Sequence, residues 1–122
     1  MEHPVAQLAP FRLPDTPARS DLVAKYFRAL GDPTRLRILE LLQAEGELSA
    51  GALTRRLGHA QSKVSNHLAC LRWCGFVTTR REHRVIYYRL ADQRVMTVLE
   101  LAQGLLDDHG DHVAACCRIP EA

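Results

Sequence analysis

A chain of 122 residues, 47% hydrophobic and 25% charged, has the composition of one folded domain and not of a disordered protein. Its formal net charge is only +2, no run approaches the ~20 apolar residues of a membrane span, and the N-terminus lacks the basic, apolar, small-residue order of a signal peptide. A cytoplasmic protein without a membrane partner is expected, and because domains this small often lean on oligomerisation for stability, so is a homodimer.

Residues 1–20 carry Pro4, Pro10, Pro14 and Pro17 and read as an extended N-terminal arm. Leu22, Val23, Tyr26, Phe27 and Leu30 then recur at helical spacing after Ser20, a capping residue, and Gly31 closes that helix. Asp32 followed by Pro33 starts a second helix, since aspartate caps orphan amides and proline fits the first helical position. This helix runs through Leu36, Leu39 and Leu42 to about Gly46. Ser49 can cap a third helix that ends at Leu57 and Gly58, and a fourth starts near Gln61 and stops at Gly75. Two short helices joined by a tight turn resemble a helix-turn-helix.

After Gly75 the period changes to alternation. Phe76 to Arg80 and Arg84 to Leu90 read as two strands joined by a turn at Arg81, Glu82 and His83. Val95, Val98, Leu99, Ala102, Leu105 and Leu106 then form an apolar helical stripe from Asp92 to about His109, despite the ~1 kcal/mol that Gly104 costs relative to alanine. A last helix with that much apolar surface wants a partner. The remainder, 110–122, is read as a polar tail interrupted by Gly110.

The small net charge hides a division along the chain. Arg55, Arg56, Lys63, Arg72, Arg80, Arg81, Arg84 and Arg89 face the single acid Glu82 between Gly51 and Leu90, whereas acidic residues dominate from Ala91 onward. A basic middle of this kind is the electrostatic footprint of a polyanion site, with a merely solvated basic face as the plainer alternative. On the fourth helix, Val64, Leu68 and Leu71 share a core stripe, and Ser62, Asn66 and Ala69 point away from it. Gln61, Ser62, Lys63, Ser65 and Asn66 are thus candidate DNA contacts, as are Arg80, Arg81 and Arg84 in the hairpin. His67 lies on the flank of the core, as a phosphate contact or as an anchor for the helix.

The four cysteines carry the remaining chemistry. Cys70 and Cys74 are four apart, which stacks their thiols about one helical turn apart, close enough to grip one ion. Cys116 and Cys117 lie in a tail with no evident core need for two thiols. Free thiols are expected in a reducing cytosol, and three or four converging thiolates suit Cd, Pb, Hg or Zn over harder, oxygen-loving ions. Small buried hydrophobes are the alternative reading of cysteine.

The segments LGDPTRLRILELL, SKVSNHLACLRWCGFV and RREHRVIYYRL occur in the order of the second helix, recognition helix and wing that they resemble in ArsR/SmtB winged-helix repressors. The resemblance runs from about Leu22 to Asp108. It implies a mainly α fold with a β-hairpin wing, a winged helix-turn-helix over 21–109 whose first and last helices form a homodimer, and release of double-stranded operator DNA when an inducer binds. Cys70 and Cys74 with a further cysteine about forty residues later are similar to the CmtR-like branch, which senses cadmium and lead. The family's arsenic-type thiols have no counterpart in ELSAGAL. Of its zinc-type motif only the later half, His109 and His112, is present, since Arg94 stands where a histidine would follow Asp92. The expected function is therefore a metal-responsive repressor sensing a soft ion, cadmium or lead first and mercury next, through Cys70, Cys74, Cys116 and Cys117. A thiol-redox repressor and a zinc sensor built on His109 and His112 are the alternatives. With no phosphate loop, nucleophile elbow or CxxC motif, an enzyme is not expected.

Overall fold

The computed structural model describes residues 18–118, so the expected arm, apart from its last three residues, and the end of the tail lie outside the described residues. Within them the order is α1 (Arg19–Leu30), α2 (Pro33–Glu45), β1 (Leu48–Ser49), α3 (Ala50–Leu57), α4 (Gln61–Trp73), β2 (Val77–Glu82), β3 (Val85–Leu90) and α5 (Arg94–Ala115).

Local chemistry sets most of these boundaries. The Asp32 carboxylate accepts the backbone N–H groups of Thr34 (2.8 Å) and Arg35 (3.1 Å) at the start of α2, with Pro33 in the first turn. Ser49 Oγ accepts Ala52 N–H at 3.1 Å to start α3, and Gly58, with φ of 71°, ends it. Ser20 does not cap α1: the helix already begins at Arg19, and the Ala18 carbonyl accepts from Asp21 and Leu22.

The core forms where α2, α3 and α4 meet. Ile38, Leu39, Leu42, Leu53, Val64, Leu68 and Leu71 are each at most 1% exposed. Burying an aliphatic side chain of this size is worth roughly 1.5–3 kcal/mol, so α4 is held to the domain chiefly by its Val64–Leu68–Leu71 stripe. The opposite face of α4 stays in water.

The hairpin differs from expectation at its tip. Glu82 pairs with Val85, leaving a two-residue turn of His83 and Arg84 in place of Arg81 to His83. His83 adopts φ of 58°, a left-handed conformation that Asn, Asp and His tolerate better than β-branched residues. A third strand, β1, pairs Leu48 with Tyr88 and Ser49 with Tyr87, giving the antiparallel order β1-β3-β2 and tying the wing to the entrance of α3.

The last helix continues through Gly110 to Ala115, beyond the expected end near His109. One glycine costs only about 1 kcal/mol, and the helix formers on both sides carry the backbone ladder across it. Only Val95 and Met96 of α5 are buried, whereas Leu101, Leu105, Leu106 and Val113 are 48–66% exposed. Leu22, Val23 and Phe27 of α1 are also exposed, and with Val98 of α5 they line one shallow cavity, so apolar side chains of both helices meet at a surface open to solvent.

Candidate functional site: a basic nucleic-acid face and a thiol pair

Gln61, Ser62, Lys63, Ser65 and Asn66 are all exposed on the first two turns of α4, on a helix that carries no acidic residue. These side chains offer hydrogen-bond donors and acceptors suited to base edges and phosphates. The turn between α3 and α4 fixes their presentation, and beyond it the wing projects Arg81 and Arg84. Both arginines are exposed and make no ion pair among the described residues.

Arg80, in contrast, is engaged within the chain. Its guanidinium donates to both carboxylate oxygens of Glu47 at 2.8 Å and to Glu82 at 2.9 Å, and it lies 4.6 Å from the centre of the Tyr87 ring. These contacts occupy its fork of donors and raise its pKa further. In turn they hold the Glu47 carboxyl below its usual range. Arg80 is thereby a brace between the wing and the segment joining α2 to β1, with two carboxylates facing its charge.

His67 sits at a junction of three helices, as an anchor would. Its ring is largely buried, with Nδ1 3.4 Å from the Arg35 guanidinium and Nε2 3.8 Å from Asp32 Oδ1. Arg35 also donates from Nε to the Ala29 carbonyl at 2.7 Å, which joins the end of α1, the start of α2 and the middle of α4 at one point. Burial pushes the Asp32 carboxyl up, but the Arg35 and Thr34 N–H groups and the His67 and Arg35 charges outweigh it and lower the pKa overall. The capping signal pointed to Asp32 in the sequence. Arg35, separated from His67 by most of two helices, carried no local signal and was missed.

Cys70 and Cys74 come together as their spacing predicts, at the exit of α4. Cys74 is the C-cap residue, and a Schellman arrangement follows: Phe76 N–H donates to the Leu71 carbonyl at 2.9 Å and Gly75 N–H to Arg72 at 3.1 Å. Gly75, at φ of 81°, makes this turn possible. The two thiols are near neighbours about one helical turn apart, Cys70 half-buried and Cys74 exposed. Burial and then the neighbouring Cys70 push the Cys74 thiol up, while Lys25 of α1 and Arg35 of α2 pull it down. The pair thus sits where α1, α2 and α4 converge, with a cavity of about 320 Å³ opening from Cys74 toward Tyr26, Asp92 and Val98. Asp92 is tied to Arg94 at 2.7 Å, and that contact lowers its pKa to about 2.

The tail cysteines do not join this pair within one protomer. Cys116 caps the end of α5 and is half-buried, Cys117 is exposed, and among the described residues no three His, Cys, Asp or Glu side chains gather into a cluster able to hold a metal. His109 and His112 are neighbours on α5, with ring centroids 6.4 Å apart, and both are exposed.

A family model for bacterial regulatory proteins of the arsR family matches residues 32–79, which span α2 to the start of the wing. The chain is also 39% identical, over 82% of its length and 79% of the relative's, to a probable mercury resistance operon repressor of Streptomyces lividans. The chain belongs to the arsR family. This arsR-family protein is 46% identical to the transcriptional regulator CmtR of Mycobacterium tuberculosis, over 72% of its own length and 75% of that protein's. Among solved structures it resembles the homodimeric winged helix-turn-helix DNA-binding domain of a possible ArsR-family regulator from Mycobacterium bovis, at TM-score 0.66 and 35% identity, covering 77% of this chain and 90% of that one. As a family member it is a DNA-binding transcriptional regulator and not an enzyme. Its α3 and α4 form the helix-turn-helix and β2–β3 the wing. Among the described residues no helix is long and apolar enough to cross a membrane.

Proposed function

We propose that the protein is a homodimeric repressor that holds operator DNA with α4 and the wing and releases it when a soft divalent ion binds Cys70 and Cys74. The observation that carries this reading is the thiol pair itself, one helical turn apart at the C-terminal end of the helix whose first two turns present an exposed polar face. Sulfur donors suit cadmium, lead or mercury, with zinc a further candidate, and the two sequence relatives include a mercury resistance repressor and CmtR.

A second copy would cover the apolar surface of α1 and α5. In that dimer the third sulfur of the site comes from Cys116 or Cys117 of the other copy. Separation of the tail thiols from Cys70 and Cys74 within one protomer favours this arrangement. Metal binding requires deprotonated thiols, so loading displaces protons from the pair. Drawing Cys70 and Cys74 toward the dimer helices re-aims α4 together with the core, to which Val64, Leu68 and Leu71 lock it. A coupling of about 1–3 kcal/mol between metal and DNA, or roughly 5- to 150-fold in operator affinity, is the usual scale for such regulation.

The one-turn spacing of the two free thiols also supports a second reading, release on oxidation. Mixed dimers test the proposal. One copy lacks Cys70 and Cys74 (both to Ser) and the other lacks Cys116 and Cys117 (both to Ser). A site shared across the dimer leaves one complete thiolate set and half the metal capacity, whereas a site closed within each copy leaves none. Mass spectrometry of the released protein separates metal loading, with unmodified thiols, from oxidation.

A further inference from the structure

We infer that the groove between α4 and the wing receives one sugar–phosphate strand of the duplex, with Trp73 as the wall that packs on it. This rests on the operator-binding reading and extends it beyond the polar residues at the start of α4.

Trp73 is the only tryptophan in the chain and is 89% exposed, more than any other large exposed hydrophobic side chain among the described residues. The apolar surface of α1 and α5 suits a second copy, but Trp73 is not part of it. It lines a cavity of about 470 Å³ formed only by α4 and β3, with Ser65, Ala69, Arg72 and Tyr88. Ser65, Ala69 and Trp73 are spaced by four, so they make one stripe along the helix that begins among the candidate DNA contacts. Small side chains on that stripe leave room for a backbone to approach.

A second cavity shares Ser65 and Tyr88 with the first and leads on past Ser49 to Arg84 at the wing tip. The two cavities adjoin at Ser65 and Tyr88, along the surface between α4 and β3. No acidic residue lines either cavity, and Arg84 and Arg72 stand along it without an ion pair among the described residues. A polyanionic strand fits this charge, and an acidic-free surface continuous with the recognition face favours DNA over a separate protein partner. The indole face supplies apolar contact to deoxyribose, its N–H can donate to a phosphate oxygen, and Arg72 adds a charged contact.

The probe is a duplex enriched by the reduced, metal-free protein from a randomised pool, labelled so that anisotropy reports binding independently of Trp73. Saturation with this duplex should shift Trp73 emission to the blue and lower its quenching by acrylamide, a neutral quencher insensitive to DNA charge. Trp73→Ala should weaken binding by about five- to tenfold, the scale of losing one apolar aromatic contact, and leave the salt slope unchanged, whereas Arg72→Ala should make the slope shallower. Because Trp73 is exposed, its variants retain the core, and matched thermal melts confirm that. Bound duplex with unchanged quenching of Trp73, or full affinity in Trp73→Ala, overturns the inference and returns this surface to a protein partner. Absence of any anisotropy rise overturns the operator-binding reading and the groove with it.

Discussion

Two adjacent wing arginines should differ sharply in what they contribute to DNA binding. Arg81 is exposed and unpaired among the described residues, while Arg80 is held by Glu47, Glu82 and the Tyr87 ring. A side chain that neutralises one phosphate contributes about 0.9 to the slope of log affinity against log salt, and a dimer presents each substitution twice. Arg81→Ala should therefore reduce the slope by up to about 1.8, so that between 50 and 200 mM salt wild-type affinity falls about tenfold more steeply than that of the variant. Arg80→Ala should leave the slope nearly unchanged and act instead on the wing, with lower thermal stability. Anisotropy titrations of a selected duplex across that salt range decide the matter. Equal slope changes in the two variants would refute the division between a free cation and an internal brace.

Asp32→Ala removes an N-cap and the carboxylate facing His67, and should cost about 1–2 kcal/mol, read as a fall of several degrees in thermal midpoint. Asp32→Asn, which keeps an acceptor for the cap, should lose less. Because the folded-state pKa of Asp32 is depressed, its contribution is complete above the ordinary carboxylate range and fades as pH falls through the lowered value, so the gap between wild type and Asp32→Ala should close in acid. His83→Gly relieves a left-handed histidine and should raise stability by up to about 1 kcal/mol in thermal melts, with a lower midpoint showing that the His83 ring makes a compensating contact. Replacing Cys116 and Cys117 together by serine should leave metal-free DNA binding intact and weaken metal-driven release, measured by adding cadmium to the protein–duplex complex.

Features encoded by neighbouring residues were legible in the sequence. The Asp32–Pro33 start, the Ser49 cap, Gly58, the Val64–Leu68–Leu71 stripe and the pairing of Cys70 with Cys74 all depend on helical period or capping chemistry within a few residues. Features set by distant partners were not. A two-residue strand such as Leu48–Ser49 is too short to alternate, and its existence depends on Tyr87 and Tyr88. The pairing of Arg80 with Glu47 and the meeting of Arg35, Asp32 and His67 likewise exist only after α2, α4 and the wing have packed. Arg81 and Glu82 look like turn residues, yet they pair with Ile86 and Val85 and extend the first strand of the wing by two residues. Gly110 looked like an interruption, but one glycine does not stop a helix whose neighbours favour it.

The central claim is that metal binding at the recognition-helix thiols and loss of DNA are one linked event. Cadmium titrated into the reduced protein bound to its selected duplex, with thiolate-to-metal absorption and duplex anisotropy read from the same sample, tests it directly. The two signals should rise and fall together to a common stoichiometric end point, and Cys70→Ser with Cys74→Ser should abolish both while leaving metal-free DNA binding near wild type. Release of DNA without thiolate absorption, or full thiolate loading with the duplex still bound, would contradict it.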